Sequence, residues 1–115
     1  MSGTDPLTCE LDPRDDVLMA RIVGHADLTQ LPRLQKFLAD LEAKKAPLVV
    51  LDLSGLQFMS SVGLGALVWL RRSCEARRAT LRLACLSPTM LQLFKASALD
   101  KGFNLYPTLE KATGL

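Results

Sequence analysis

A chain of 115 residues that is 49% hydrophobic and 23% charged has enough apolar material for one core without disulfides or metal, and its hydrophobicity argues against disorder. A formal net charge of +2 argues against a partner recognised mainly through its charge, nucleic acid included. Composition therefore points to a single domain over residues 1–115, with residues 1–6 as a flexible lead, and to one site on it.

The three cysteines, Cys9, Cys74 and Cys85, are odd in number and form no C-x-x-C pair, so they read as reduced thiols in a cytoplasmic protein. The opening M-S-G-T-D-P-L-T-C-E-L-D-P-R-D-D has acids and no apolar h-region, which argues against a signal peptide. The longest nearly unbroken apolar stretch, Val62 to Leu70, is far short of a membrane span, so no direct membrane insertion is expected.

In chain order, Leu7 to Leu11 reads as a short edge strand. After the D-P-R-D-D turn, the loose alternation of Val17, Met19, Arg21 and Val23 predicts its hairpin partner. Leu31, Leu34, Phe37, Leu38 and Leu41 then recur at the spacing of one helix face, with Thr29 as the expected cap, Pro32 in the first turn, and Lys44 and Lys45 at the end. The run P-L-V-V-L-D-L, from Pro47 to Leu53, is too short for a helix and reads as a central parallel strand covered on both faces. From Ser61, V-G-L-G-A-L-V-W-L-R-R-S-C-E-A-R-R predicts a helix buried at its start and emerging into water. Thr80 to Leu86 is a further strand. Pro88 and Thr89 open a helix running to about Leu99, with Gly102 as its terminator, and Phe103 to Tyr106 is a last short strand. Strands alternating with helices give an α/β fold with a mixed sheet of about four to five strands and helices packed mainly on one face.

Residues 54–65, S-G-L-Q-F-M-S-S-V-G-L-G, place two hydroxyls between the central strand and the following helix. Sites in open α/β sheets gather in such loops, and a helix amino end offers free N–H groups and a partial positive charge. Ser60 fits the cap and Ser61 the first turn, and ordinary capping alone is a sufficient account of the pair. Gly63 and Gly65 suit a close approach of helix to sheet. The phosphate-loop pattern G-x-x-x-x-G-K-[ST] is absent, which argues against a nucleotide site.

The order V-V-L-D-L-S-G-L-Q-F-M-S-S-V-G-L-G-A-L resembles the STAS domain of bacterial anti-sigma factor antagonists. G-H-A-D precedes it, and L-R-L-A-C-L-S-P-T-M-L-Q-L-F and F-N-L-Y-P-T-L-E-K-A follow. The resemblance covers about Val17 to Ala112. It implies a phosphorylation-controlled binding switch and not an enzyme. In that family an anti-sigma factor that is itself a serine kinase phosphorylates a serine at the amino end of this helix. The unphosphorylated antagonist holds the kinase and frees a sigma factor, and a PP2C-type serine phosphatase resets the cycle.

Laying the typical F-M-D-S-S-G-L-G onto F-M-S-S-V-G-L-G puts the acceptor on Ser61. Ser60 stands where the family has an acid, and Val62 where it has a second serine or threonine, so Ser60 is the alternative acceptor. The resemblance further implies that Asp27, Ser54, Pro88 and Thr89 border the partner face, with Ser60, Val62 and Gly63 shaping it and Phe58 or Met59 as apolar anchor. Trp69, Phe58 and Met59 otherwise read as core or core edge. No cofactor or metal is implied, and the chain is expected to be a monomer. A second reading within the family is an unphosphorylated STAS subunit of a lipid-transport ATPase complex.

Other signals have plainer accounts. His25 is the single histidine and has no catalytic constellation around it. Asp27 and Asp52 form a conceivable acid–base pair, but a cap explains the first and backbone N–H groups at a strand end the second. Arg71, Arg72, Arg77 and Arg78 read as a solvated face on the last turns of a helix.

Overall fold

The computed structural model describes residues 7–14 and 16–114, so the flexible lead expected over residues 1–6 lies outside the described residues. Strand β1 (Thr8–Arg14) pairs antiparallel with β2 (Val17–Ala26), in register from Thr8 opposite Val23 to Arg14 opposite Val17. The expected hairpin is present, but Asp12, Pro13 and Arg14 belong to the strand and not to the turn. Proline is tolerated there because β1 is the sheet edge.

After a 3-10 turn, Leu28–Gln30, come α1 (Leu31–Ala43), β3 (Leu48–Asp52), β4 (Leu56–Met59), α2 (Ser61–Ala76), β5 (Thr80–Ala84), α3 (Pro88–Ala96), β6 (Asn104–Tyr106) and α4 (Leu109–Thr113). The sheet order is β1-β2-β3-β5-β6, with β3 parallel to both neighbours and β4 joined in parallel to the far end of β2. The mixed sheet and the central strand match expectation, and β4 adds a strand where a loop was expected.

The alternation of β3 explains its unbroken hydrophobicity. Val49 and Leu51 point into the main core with Leu34, Leu38, Leu41, Leu67, Leu70 and Phe94 of α1, α2 and α3. Val50 points the other way, into a small cluster with Met19, Ala84 and Ala112 of α4. Three helices thus cover one face and one short helix the other. Burying each large aliphatic side chain contributes about 1.5–3 kcal/mol, so the three-helix face supplies most of the stabilisation.

Two glycines let β2 change neighbour. Gly24, at φ 108, lies where the register shifts and β2 leaves β3 for β4, and its N–H donates to the Gly55 carbonyl at 2.9 Å. Only glycine adopts that conformation without strain. At Gly55 a Cβ would lie 2.9 Å from a methyl of Val23, so the crossing chain passes too closely for a side chain.

Three local expectations are corrected. Thr29 is not the cap: Asp27 caps the 3-10 turn, accepting from the Thr29 and Gln30 N–H groups. Helix α3 stops at Ala96, where Ser97 takes the cap position and Ala98 turns to φ 57, so Gly102 does not terminate it. Gly102 instead makes room for the Arg71 guanidinium, which would collide with any Cβ there and stacks over the Phe103 ring at 4.9 Å. The solvated arginine face is half right. Arg72 and Arg78 are exposed, Arg71 is taken up by Phe103, and Arg77 is locked in an ion pair with Glu42.

Candidate functional site at the amino end of helix α2

The carboxyl ends of β2, β3, β4 and β5 lie at one edge of the parallel sheet, and within three residues of each strand end stands a polar residue. These are Asp27, Ser54, Ser60 and Ser87. The site sits here because parallel strands put all their carboxyl ends together and the following helices present their amino ends beside them.

Asp27 closes the β2 loop. Its Oδ1 accepts from the Thr29 hydroxyl at 2.6 Å, the Thr29 N–H at 3.0 Å and the Gln30 N–H at 3.3 Å. The Thr29 hydroxyl bond is the main reason its carboxyl lies below the usual carboxylate range. Ser54 is exposed, and its N–H donates to Asp52 Oδ1 at 3.0 Å. The other carboxylate oxygen of the buried Asp52 accepts from Arg21 Nε at 3.1 Å. Asp27 and Asp52 each carry out separate structural work and make no acid–base pair.

Ser60 and Ser61 divide their roles as expected, although they follow β4 and not the central strand directly. Ser60 is the N-cap: its Oγ accepts from the Gly63 N–H at 3.1 Å, while its own N–H donates to the Ala26 carbonyl at 2.9 Å. Ser61 is the first helical residue and is exposed, and its hydroxyl has no hydrogen-bond partner among the described residues. Met59 is not on the surface. It is 1% exposed and packs under Gly63, where a Cβ would fall 2.7 Å from its Cγ. Gly63 is therefore the glycine of close approach, whereas Gly65 is exposed and a Cβ there would meet nothing within 4 Å.

Apolar side chains stand exposed on β4, at the start of α2 and in the loop after β2. Phe58 is 44% exposed, Val62 46%, and Leu28, beside Asp27, 63%. Pro88 and Thr89 are exposed at the start of α3, which Ser87 caps through the Met90 N–H at 3.2 Å. Phe58, the expected apolar anchor, and Thr89, an expected border residue, line one shallow groove with Gln57 and Leu93. Sequence reasoning missed Leu28 and Ser87. It also read Trp69 as core or core edge, whereas Trp69 is 47% exposed on α2. Its position on the α2 stripe Val62, Gly65, Trp69 was the available signal, because this stripe lies off the Leu64, Leu67, Leu70, Cys74 face that is buried.

Elsewhere, His25 lies half-buried on β2 opposite Phe58, its Nδ1 without a partner among the described residues. The three thiols are free, and burial pushes Cys9 and Cys74 up to about 11, which disfavours the reactive thiolate. Among the described residues no cluster of three or more His, Cys, Asp or Glu side chains is placed to hold a metal, and no helix is long and apolar enough to cross a membrane.

Known proteins resemble this chain in sequence and fold. The STAS domain family model matches residues 8–112. An anti-sigma-B factor antagonist of Listeria monocytogenes is 28% identical over 95 residues, covering 82% of this chain and 83% of that protein. The crystal structure of an anti-sigma factor antagonist from Mycobacterium paratuberculosis superposes with a TM-score of 0.88 at 28% identity, over 99% of this chain and 97% of that one. The Bacillus cell fate determinant SpoIIAA, solved in its phosphorylated form, shares the fold with a TM-score of 0.71 at 23% identity, over 93% and 97% of the two chains.

Proposed function

The chain belongs to the STAS domain family, and from that premise we propose that it is an anti-sigma factor antagonist switched by phosphorylation of Ser61. Unphosphorylated, it holds an anti-sigma factor serine kinase and so releases a sigma factor. Phosphorylated, it lets the kinase go, and a PP2C-type serine phosphatase restores it. The domain acts by binding and not by catalysis.

The observation that carries this reading is the division between the two hydroxyls. Ser60 is engaged as cap, and Ser61 stands exposed in the first turn of α2 beside the exposed Val62, with Phe58 exposed on the preceding strand and Leu28 on the loop after β2. A phosphoryl group there adds roughly −1.5 to −2 charges. The helix amino end accommodates it, since the free N–H groups and the dipole favour an anion. A protein packed over Ser61 and Val62 meets a hydrated dianion, and a loss of about 3 kcal/mol is roughly a hundredfold in affinity. The fold is kept and the complex is lost.

Val62 is exposed where the family carries a second hydroxyl, and Ser60 caps the helix at the position where the family carries an acid. Both changes leave the acceptor in place. Incubation with an anti-sigma serine kinase and ATP, followed by peptide mass spectrometry, tests the assignment. One phosphate is expected on the wild type and on Ser60→Ala, and none on Ser61→Ala. Phosphate retained by Ser61→Ala and lost in Ser60→Ala would move the acceptor to the cap. An active kinase that binds without phosphorylating would reduce the domain to a constitutive binding module.

A further inference from the structure

Between the outer faces of α1 and α2 runs an open apolar groove of about 510 Å3, lined by Gln35, Leu38 and Ala39 on one side and by Val62, Gly65 and Trp69 on the other. Three features distinguish it from ordinary surface. The first is Gly65. It lies inside a helix, where glycine is the poorest former after proline, and a Cβ there would touch nothing within 4 Å. Neither the backbone nor internal packing asks for glycine at this position, and its effect is to keep that wall of the groove open.

The second is Trp69, the one tryptophan of the chain, which leaves 47% of its surface in water. Aromatic rings so placed are the side chains that most often dominate protein interfaces. The third is continuity. Val62, which lines the groove, directly follows Ser61 in the first turn of α2, so the groove reaches to within one residue of the proposed acceptor. Val62 and Trp69 are two helical turns apart, about 10 Å along α2, so the groove has length for about two turns of a helix laid along it. One turn beyond Trp69 on the same stripe stands Arg72, exposed and without an ion-pair partner among the described residues.

We propose that this groove receives an amphipathic helix of the same protein that reads Ser61, its apolar face against Val62, Gly65 and Trp69 and an acidic side chain toward Arg72. The inference rests on the anti-sigma factor reading and extends the partner's footprint from the tip of α2 down the α1–α2 seam. It divides the contact into two parts. The tip carries the response to phosphate, and the seam carries affinity and partner choice that phosphate does not touch.

The test is calorimetric titration of the full chain with a recombinant anti-sigma factor serine kinase from the same organism, with thermal melts as a folding control. Gly65→Leu, whose Cβ has open space, projects an isobutyl group into the groove, so it is expected to keep the fold in the thermal melt and to bind at least about tenfold more weakly. Trp69→Ala should weaken binding to a similar degree and Arg72→Glu by a few-fold, while Ser61→Asp serves as the control at the tip. If Ser61→Asp loses binding while Gly65→Leu and Trp69→Ala bind like the wild type, the groove is outside the footprint and only the switch stands. If the wild type binds no such kinase, both the switch and the groove assignment fall. A wild-type dimer in sedimentation that Gly65→Leu disperses would make a second copy of this chain the occupant and overturn the proposal.

Discussion

At its carboxyl end α2 is closed by contacts made within the chain, and at its amino end it is left open. The Arg77 guanidinium, in the cap position, donates to both Glu42 oxygens of α1 at 2.7 and 2.8 Å and to the Ala46 carbonyl at 2.7 Å. Those donors and acceptors have found partners inside the fold, with Glu42 buried and Arg77 largely so. At the other end Ser60 alone is engaged, Ser61 has no partner among the described residues, and Phe58 and Val62 are close to half exposed. On the proposed function, one helix separates stability from binding along its length: groups satisfied internally hold the fold, and groups left open at the other end are offered to the partner.

The largest expected stability effect is at the closed end. Glu42→Ala leaves a mostly buried guanidinium unpaired and should cost about 3 kcal/mol, on the order of ten degrees in Tm. Partner affinity per folded molecule should be unchanged, and denaturant titration beside calorimetry separates the two. The pH dependence sharpens the same point. The Arg77 hydrogen bonds hold the Glu42 carboxyl below the ordinary glutamate value, so its contribution is present above that value and is lost as pH falls toward the lowered one. In Glu42→Gln that part of the acid-side loss of stability should disappear.

A smaller contrast lies within the first turns of α2. Gly63→Ala places a methyl against Met59 Cγ and should destabilise by about 1 kcal/mol or somewhat more. Gly65→Ala, two residues on, has open space and gains helix propensity, so it should stabilise by up to about 1 kcal/mol. Thermal melts of the two variants should move in opposite directions. A fall in both would mean that Gly65 has a packing role inside the domain.

These asymmetries also show what a linear sequence can carry. The strand–helix alternation, the doubly buried β3 run and the Ser60 cap are written in local periodicity and residue type, and the structure has each of them. Strand β4 was hidden because it is four residues long with Leu56 and Met59 buried and Gln57 and Phe58 exposed, a pattern without period two. Helix α4 has five residues, too few for a helical period, and its signals are the Thr108 cap and Gly114 at φ 78. The Glu42–Arg77 lock joins residues 35 apart in sequence, which only the packing of α1 on α2 brings together. Trp69 was misplaced because apolar composition does not say which face of a helix a residue occupies. The stripe through Val62, Gly65 and Trp69 becomes distinct only once Leu64, Leu67 and Leu70 are known to be buried.

The central claim is that Ser61 switches binding without disturbing the fold. The most direct measurement is the affinity of the wild-type chain for its anti-sigma kinase with Ser61 unmodified and quantitatively phosphorylated, together with the Tm of both forms. The account predicts an affinity lower by about a hundredfold in the phosphorylated form and a Tm equal or slightly higher, as an anion at a helix amino end requires. Equal affinities, or a phosphorylated form that loses binding only because it unfolds, would contradict it.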